Sequence, residues 1–366
     1  MIVAFYMPHL ITGGAERVTV NLANHFARRG EKSLMVLDRR DGALIEALDA
    51  NVELIALDAP RTLAALPRLT RLLKSRRPDV LLSGITYNSP IAILAAKLSR
   101  AGTRVAVAEH TVLSQELAER GPRDRWIIPP LLNLAYRGAA GIIAASDAIA
   151  DDLARLCRIA RGRIEVLANP VIGGDIAQRA AARPDHPWFA EPVPVFVAAG
   201  RMTKVKDFPT LIAAFARVQA KRKARLLLLG DGPLRGSLEA QAGSLGLAGA
   251  IELPGALADP LPYFARAAAV VSSSRYEGFG NVLVEAMACG TPVVSTDCPG
   301  GPRGILEDGR YGTLVPVGDA EALAQAMLAA LDRRPDAATL RAGAARYTVE
   351  RAGDAYLERL RRLASR

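Results

Sequence analysis

Cysteine is scarce in this chain: three in 366 residues, Cys157, Cys289 and Cys298, with no CxxC pair. An odd, scattered set argues against a disulfide framework or a thiolate zinc site and points to a reducing cytosol. Aromatic residues make up 5%, too few for the stacking platforms of nucleic-acid binders, so no nucleic-acid partner is expected. HExxH, DxD, a His pair at helical spacing and GxSxG are all missing, which argues against a metal centre and a Ser-His-Asp hydrolase. No run reaches the roughly 18 apolar residues of a membrane span. The opening MIVAFYMPHLI lacks a basic lead and is interrupted by Pro8, so it reads as a first strand and not as a signal peptide.

What is present is apolar and basic. Hydrophobic residues are 50% of the chain, ample for buried cores, and the length suggests two domains. The formal net charge of +10 suits anionic partners such as nucleotides, lipid phosphates or a membrane surface, or is simply a basic solvated exterior.

Short apolar runs alternate with helical patterns. Strands are expected at 2–7, 33–37, 80–83, 104–108, 141–145 and 164–167, with helices at 15–29, 61–76, 89–98 and 147–156. Such alternation implies parallel sheets covered on both faces. Between about 170 and 194 the pattern lapses into glycine and proline, which reads as a linker. It restarts with strands at 195–199, 225–229, 251–253, 269–272, 292–295 and 313–315, and helices at 208–220, 234–245, 282–288 and 320–331. The expected architecture is α/β, with two Rossmann-like doubly wound domains facing across a cleft. Residues 1–170 and 194–349 form the domains, 171–193 the linker, and a helix at about 350–366 packs back on the first domain. Ligands in such sheets bind beyond the carboxyl ends of the strands.

The most informative stretch is 273–301, SSRYEGFGNVLVEAMACGTPVVSTDCPGG. Glu277 and Glu285 stand either side of a Gly-Phe-Gly turn that feeds a helix. Such a turn offers backbone N–H groups and a positive dipole end to a phosphate, and two carboxylates suit sugar hydroxyls. Together they suggest a nucleotide-sugar. Gly200-Arg201 closes another strand and Lys204 and Lys206 follow; without a metal, a diphosphate leaving group needs such fixed cations. The alternative is two solvated loop cations.

Weaker signals surround these. Gly13-Gly14-Ala15-Glu16 opens a helix after the first strand, as an anion- or acceptor-binding turn or as a plain one. Gly230-Asp231-Gly232-Pro233 lines the nucleotide cleft or is only a turn. His110 ends a strand, where it can bond a sugar or an acceptor or sit satisfied in its loop. Asn169-Pro170 reads as a domain-closing turn, and Asp151-Asp152 as a solvated helix face. The basic amphipathic helix at 61–77 either lies on anionic lipid or packs on its own sheet; packing is the expectation, and more so for Trp126-Ile127-Ile128 with Leu131-Leu132.

In order along nearly the whole chain, these motifs resemble family 4 of the retaining glycosyltransferases, which have the GT-B fold. GGAE at 13–16 resembles its acceptor-side glycine loop, and AEHT at 108–111 places His110 near the donor sugar. SDAIADDL at 146–153 and ANP at 168–170 resemble the segment closing the first domain. GRMTKVKDF at 200–208 resembles the GR…K segment, and EGFGNVLVEAMACGTPVV the two-glutamate motif. The resemblance implies that Arg201 and Lys206 bind the donor diphosphate, Glu277 the sugar hydroxyls and Glu285 the ribose. The backbone around Phe279, Gly280 and Asn281 would meet sugar or phosphate, with Gly230 nearby. It also implies front-face attack with no protein nucleophile, and neither metal nor cofactor. Two departures are Gly304, where relatives commonly have glutamate, and Lys206-Asp207 in place of lysine-glycine.

STDCPGGPRGIL resembles the branch that extends lipid-linked oligosaccharides or surface polysaccharides, often from UDP-hexose or UDP-N-acetylhexosamine. The expectation is a cytoplasmic retaining hexosyl- or N-acetylhexosaminyltransferase, UDP favoured, with a glycan or polyprenyl-linked acceptor and peripheral membrane contact. The competing readings are a sugar-nucleotide epimerase or hydrolase on the same plan and a silent carbohydrate-binding subunit.

Overall fold

The structure, a computed structural model, describes residues 1–11 and 13–365. The chain divides into two compact units, Met1–Val171 with Tyr347–Arg366, and Ile172–Arg346.

The first unit is built on seven parallel strands: β1 (Ile2–Met7), β2 (Lys32–Leu37), β3 (Val52–Ala56), β4 (Val80–Ser83), β5 (Arg104–Glu109), β6 (Gly141–Ala144) and β7 (Ile164–Val166). Their order is β3-β2-β1-β4-β5-β6-β7. Strand β1, IVAFYM, is buried along nearly its whole length, as a strand covered on both faces must be. The helices between strands are α1 (Gly14–Arg28), α2 (Thr62–Arg76), α3 (Ser89–Ser99), α4 (Leu113–Arg120), α5 (Pro122–Tyr136) and α6 (Asp147–Cys157). Strand β3 was not anticipated from sequence. Only its first residue is buried and the other four are half-buried, as fits a strand at the sheet edge.

In α2, Leu69 and Leu73 pack inward and Leu63 is exposed. The packing expected around Trp126 is overturned: Trp126 is 82% exposed, and Ile127 and Leu131 are exposed as well, while Leu132 alone of that group is fully buried.

The second unit opens with α7 (Ile176–Ala181), inside the stretch read as a linker. It packs on α10 (Leu261–Arg266) and α11 (Asn281–Cys289), and Arg179 binds both carboxylate oxygens of Asp259 at 3.0 Å. Residues 172–193 therefore belong to this unit. Six parallel strands follow: β8 (Val195–Ala199), β9 (Arg225–Leu229), β10 (Ile251–Gly255), β11 (Ala269–Ser272), β12 (Val293–Thr296) and β13 (Thr313–Val315). Their order is β10-β9-β8-β11-β12-β13. The remaining helices are α8 (Phe208–Lys221), α9 (Arg235–Ser244), α12 (Pro302–Ile305), α13 (Ala320–Asp332) and α14 (Ala337–Ala344).

The chain then returns to the first unit with α15 (Val349–Ala364), which packs on α1. Asp354 accepts from His25 Nε2 at 2.8 Å and from Arg29. Tyr356, Leu357 and Leu360 of α15 enter the first core.

Candidate active site

In each sheet the strand order reverses once, between β1 and β4 in the first unit and between β8 and β11 in the second. At such a switch point the two following loops diverge and leave a crevice for a ligand. In the second unit those loops are 200–207, carrying Arg201 and Lys206, and 273–280, carrying Glu277. Segments that sequence separates by 71 positions thus meet: Lys206 Nζ lies 2.5 Å from Glu277 Oε1. Ser274 donates to the same oxygen at 2.6 Å. Among the described residues no bond falls on Glu277 Oε2. Arg201 is exposed, with no ion-pair partner among the described residues.

The backbone around this cluster is stitched. Ser273 donates to Lys206 O at 2.7 Å, Arg275 N to Val205 O at 2.7 Å, and Thr296 to Ser274 O at 2.6 Å. Glu277 N donates to Pro299 O at 2.9 Å. Loop 297–301 lies so close that a Cβ on Gly300, whose φ is +129°, would stand 1.8 Å from Glu277 O. Gly230 has the same role on the other side: a Cβ there would meet Gly200 O at 2.1 Å. Both glycines are required by close backbone approach. Asp207 is buried at φ +46° and caps α8, accepting from Thr210 at 3.0 Å. The same oxygen faces Arg275 Nε at 3.5 Å, and the left-handed turn, where the family's lysine is followed by glycine, is one that aspartate tolerates.

Gly280, at φ +105°, precedes α11, and Asn281 and Glu285 share one face of that helix. Glu285 lies within electrostatic reach of Arg179 and Cys289. Phe279 is buried. Gly304 is open: nothing stands within 4 Å of where its Cβ would be. The Cys298 thiol, buried beside Glu277, is pushed up to about 12, mainly by burial.

In the first unit, Gly13 caps α1 with extended backbone and Gly14 begins it. The Glu16 carboxylate folds back over this cap, its Oε2 2.2 Å from where a Gly13 Cβ would be, and His9 Nδ1 lies 3.9 Å from its Oε1. At the end of β5, burial drives the His110 imidazole down to about 4, opposed by a hydrogen bond to Asn169. His110 is therefore neutral at ordinary pH. Asn169, read from sequence as a turn residue, is its partner.

Next to it, sequence reading passed over Glu109. This carboxyl is fully buried, accepts from Thr86 at 2.6 Å and from the Tyr136 hydroxyl, and is raised by burial to about 7. Its signal was an acid closing an otherwise apolar strand, RVAVAE. Asp38, at the end of β2, forms a second buried cluster with the Tyr6 hydroxyl at 2.7 Å and Asn88 at 3.1 Å.

Two doubly wound parallel sheets in tandem are the GT-B architecture. The chain belongs to glycosyltransferase family 4: residues 12–172 match the family described as Glycosyltransferase Family 4, and residues 193–333 that described as Glycosyl transferases group 1. It is 32% identical over 325 residues to the lipopolysaccharide core biosynthesis glycosyltransferase LpsE of Rhizobium meliloti, covering 86% of this chain and 84% of that one. A Campylobacter jejuni N-acetylgalactosaminyltransferase acting on a diphospho-undecaprenol-linked sugar is 27% identical over 329 residues, 88% of this chain and 87% of its own. Anabaena HepE, crystallised with UDP and glucose, shares the fold at a TM-score of 0.82 and 23% identity, across 98% of this chain and 99% of that one. The chain is thus a glycosyltransferase. Among the described residues no helix is long and apolar enough to cross a membrane.

Proposed function

We propose that this enzyme is a retaining glycosyltransferase that moves a hexose or N-acetylhexosamine from a UDP-sugar to a glycan or polyprenyl-linked acceptor without a metal. The observation that carries the reading is the switch-point cluster of Lys206, Glu277 and Ser274, with Arg201 exposed on the same loop as Lys206. UDP is supported by the nucleotide bound in HepE, and a glycan or lipid-linked acceptor by the names of the LpsE and Campylobacter relatives.

In this mechanism the C1–O bond to the diphosphate breaks and its electron pair leaves with the β-phosphate oxygen. Arg201 and Lys206 offset the growing negative charge; such preorganised donors are commonly worth ~3 kcal/mol each. The acceptor oxygen attacks C1 from the same face, and its proton passes to the departing phosphate oxygen, so configuration is kept and no protein nucleophile is needed. Glu277 Oε2 accepts from a sugar hydroxyl while Oε1 stays with Lys206 and Ser274. Asn281 and Glu285, on one face of α11, meet the nucleotide side with the Phe279-Gly280 backbone. His110, neutral, exchanges a hydrogen bond with sugar or acceptor. Because the Glu16 carboxylate already covers the positive end of α1, the Gly13-Gly14 loop favours a hydroxyl-bearing acceptor over a second anion.

The test is a thermal-shift screen of UDP-, GDP- and ADP-sugars in EDTA, followed by NMR of the product anomer. The reading requires UDP-sugars to raise the melting temperature most and an axial donor to give an axial product. An inverted anomer, a sugar converted without acceptor, or turnover that needs manganese would each refute it.

A further inference from the structure

Arg179, the one cation of α7, has no part in the transfer step. Its guanidinium forks onto Asp259, Nε to Oδ2 and Nη2 to Oδ1, both at 3.0 Å. Asp175, one turn earlier, stands 3.6 Å away. Asp259 Oδ1 also accepts from Leu261 N at 3.1 Å, which ties the carboxylate to the start of α10. Leu261 O in turn lies 3.8 Å from Cys289 Sγ. Cys289 follows Glu285 by one turn and shares its face of α11. The Glu285 face is thus the one turned toward α10 and Asp259, and α7 packs on that same helix. Arg179 lies within electrostatic reach of Glu285, and Cys289 within reach of Arg179, Asp259 and Glu285 alike. One guanidinium therefore serves three acids, Asp175, Asp259 and Glu285, from three segments of the second unit.

The fork fixes the plane of the guanidinium as well as its position. Arg179 and Asp259 are only half-buried, and such pairs add little to stability, so stapling α7 in place does not account for a fixed cation with a further acid in reach. Without that charge, Asp259 and Glu285 would be like charges on facing segments, and each would turn toward water. We propose that Arg179 is a positioning residue for the donor ribose: its charge, locked by Asp259, holds the Glu285 carboxylate turned to the ribose hydroxyls. This role rests on the reading of Glu285 as the ribose carboxylate. It makes the stretch that sequence marks as a linker part of the donor site. In this role Arg179 touches neither sugar nor phosphate. Its loss weakens the hold on the ribose and leaves the diphosphate to Arg201 and Lys206 as before.

The experiment titrates UDP and 2′,3′-dideoxy-UDP into each protein by calorimetry, in EDTA, and reads the ratio of the two affinities. Wild type should prefer UDP by ~10-fold or more, as expected of hydroxyls bonded to a charged carboxylate. Arg179→Met should lose UDP affinity but hold dideoxy-UDP about as before, which brings the ratio below ~3-fold. Arg179→Lys, which keeps the charge without the fork, should fall between the two. Arg341→Gln removes a donor to Cys289 O at the far end of α11. It loosens the helix without touching Glu285 and should keep the wild-type ratio. The proposal is overturned if Arg179→Met discriminates like wild type, if Arg179→Lys is no better than Arg179→Met, or if Arg341→Gln loses the ratio as fully as Arg179→Met. Glu285→Gln separates this failure from that of the donor reading. If Glu285→Gln loses the ratio while Arg179→Met keeps it, only the role of Arg179 falls. If Glu285→Gln keeps the ratio, or wild type shows none, the ribose assignment falls and the role of Arg179 with it.

Discussion

Lys206 Nζ and Ser274 Oγ both donate to one oxygen of Glu277, at 2.5 and 2.6 Å. A cation proposed for the diphosphate and a carboxylate proposed for the sugar are therefore one unit. With side chains 22% and 13% exposed, the pair is shielded enough for its geometry to matter and open enough to be reached by substrate. Two groups that act as a unit give non-additive losses. Lys206→Met and Glu277→Gln are each expected to lower kcat/KM by about 10²–10³, and the double variant by little more than the worse single one. Steady-state kinetics of the three proteins check this; fully multiplied losses would show that the pair does not work together. Ser274→Ala, which removes one bond to Glu277, is expected to cost about 1 kcal/mol, or roughly fivefold.

Gly300 tests how the Glu277 loop is held. In Gly300→Ala the new Cβ would lie 1.8 Å from Glu277 O at a φ of +129°, so the two loops must part. The expected loss is ~2–4 kcal/mol of stability and about 10²-fold in kcat/KM from the displaced carboxylate. Denaturant unfolding and kinetics measure the two. A variant with wild-type values would show that the approach of these loops is immaterial.

Gly304 is the opposite case, exposed in α12 with open space around it. Gly304→Ala restricts the unfolded chain without a clash and is expected to add ~0.5–1 kcal/mol. Thermal melting of the variant should rise by a few degrees; a fall would mean that the position needs glycine for a reason other than space.

Neighbouring Glu109 and His110 titrate in opposite senses. Glu109 is raised from 4.5 to about 7, so the stability it contributes is full below 4.5 and lost as pH rises through 7. His110 is lowered from 6.5 to about 4, so its contribution is full above 6.5 and lost as pH falls toward 4. Between pH 5 and 7 the two slopes oppose each other. Glu109→Gln removes the first, worth at most about 3 kcal/mol, and leaves the second. Its melting temperature should therefore fall on acidification from pH 7 to 5 more steeply than that of the wild type. Parallel melting curves for the two proteins would contradict this account.

Both sheets were legible in the chain because buried parallel strands are continuous apolar runs, as in IVAFYM and RLLLL. The half-buried edge strand β3, VELIA, went unseen: its apolar run is broken by Glu53 and lies in a stretch read as no regular element. Lys206 and Glu277 were each legible as residue types beside glycine turns. Their union was not, because strand order decides it and sequence does not print strand order. On α5 apolar residues run around the helix, so periodicity could not say which side is covered. The fold buries Pro129, Leu132 and Tyr136 and leaves Trp126 to solvent. Asn169 and Glu109 were hidden in a turn and at a strand end, where burial and not identity gives them their partners.

The central claim, that fixed cations of the second unit hold the donor diphosphate, is tested most directly by calorimetric titration of UDP into wild type and Arg201→Ala, both in EDTA. The account predicts that the wild type binds UDP undiminished by the chelator and that the variant binds at least ~10-fold more weakly. Equal affinities, or wild-type binding that vanishes in EDTA and returns with manganese, would contradict it.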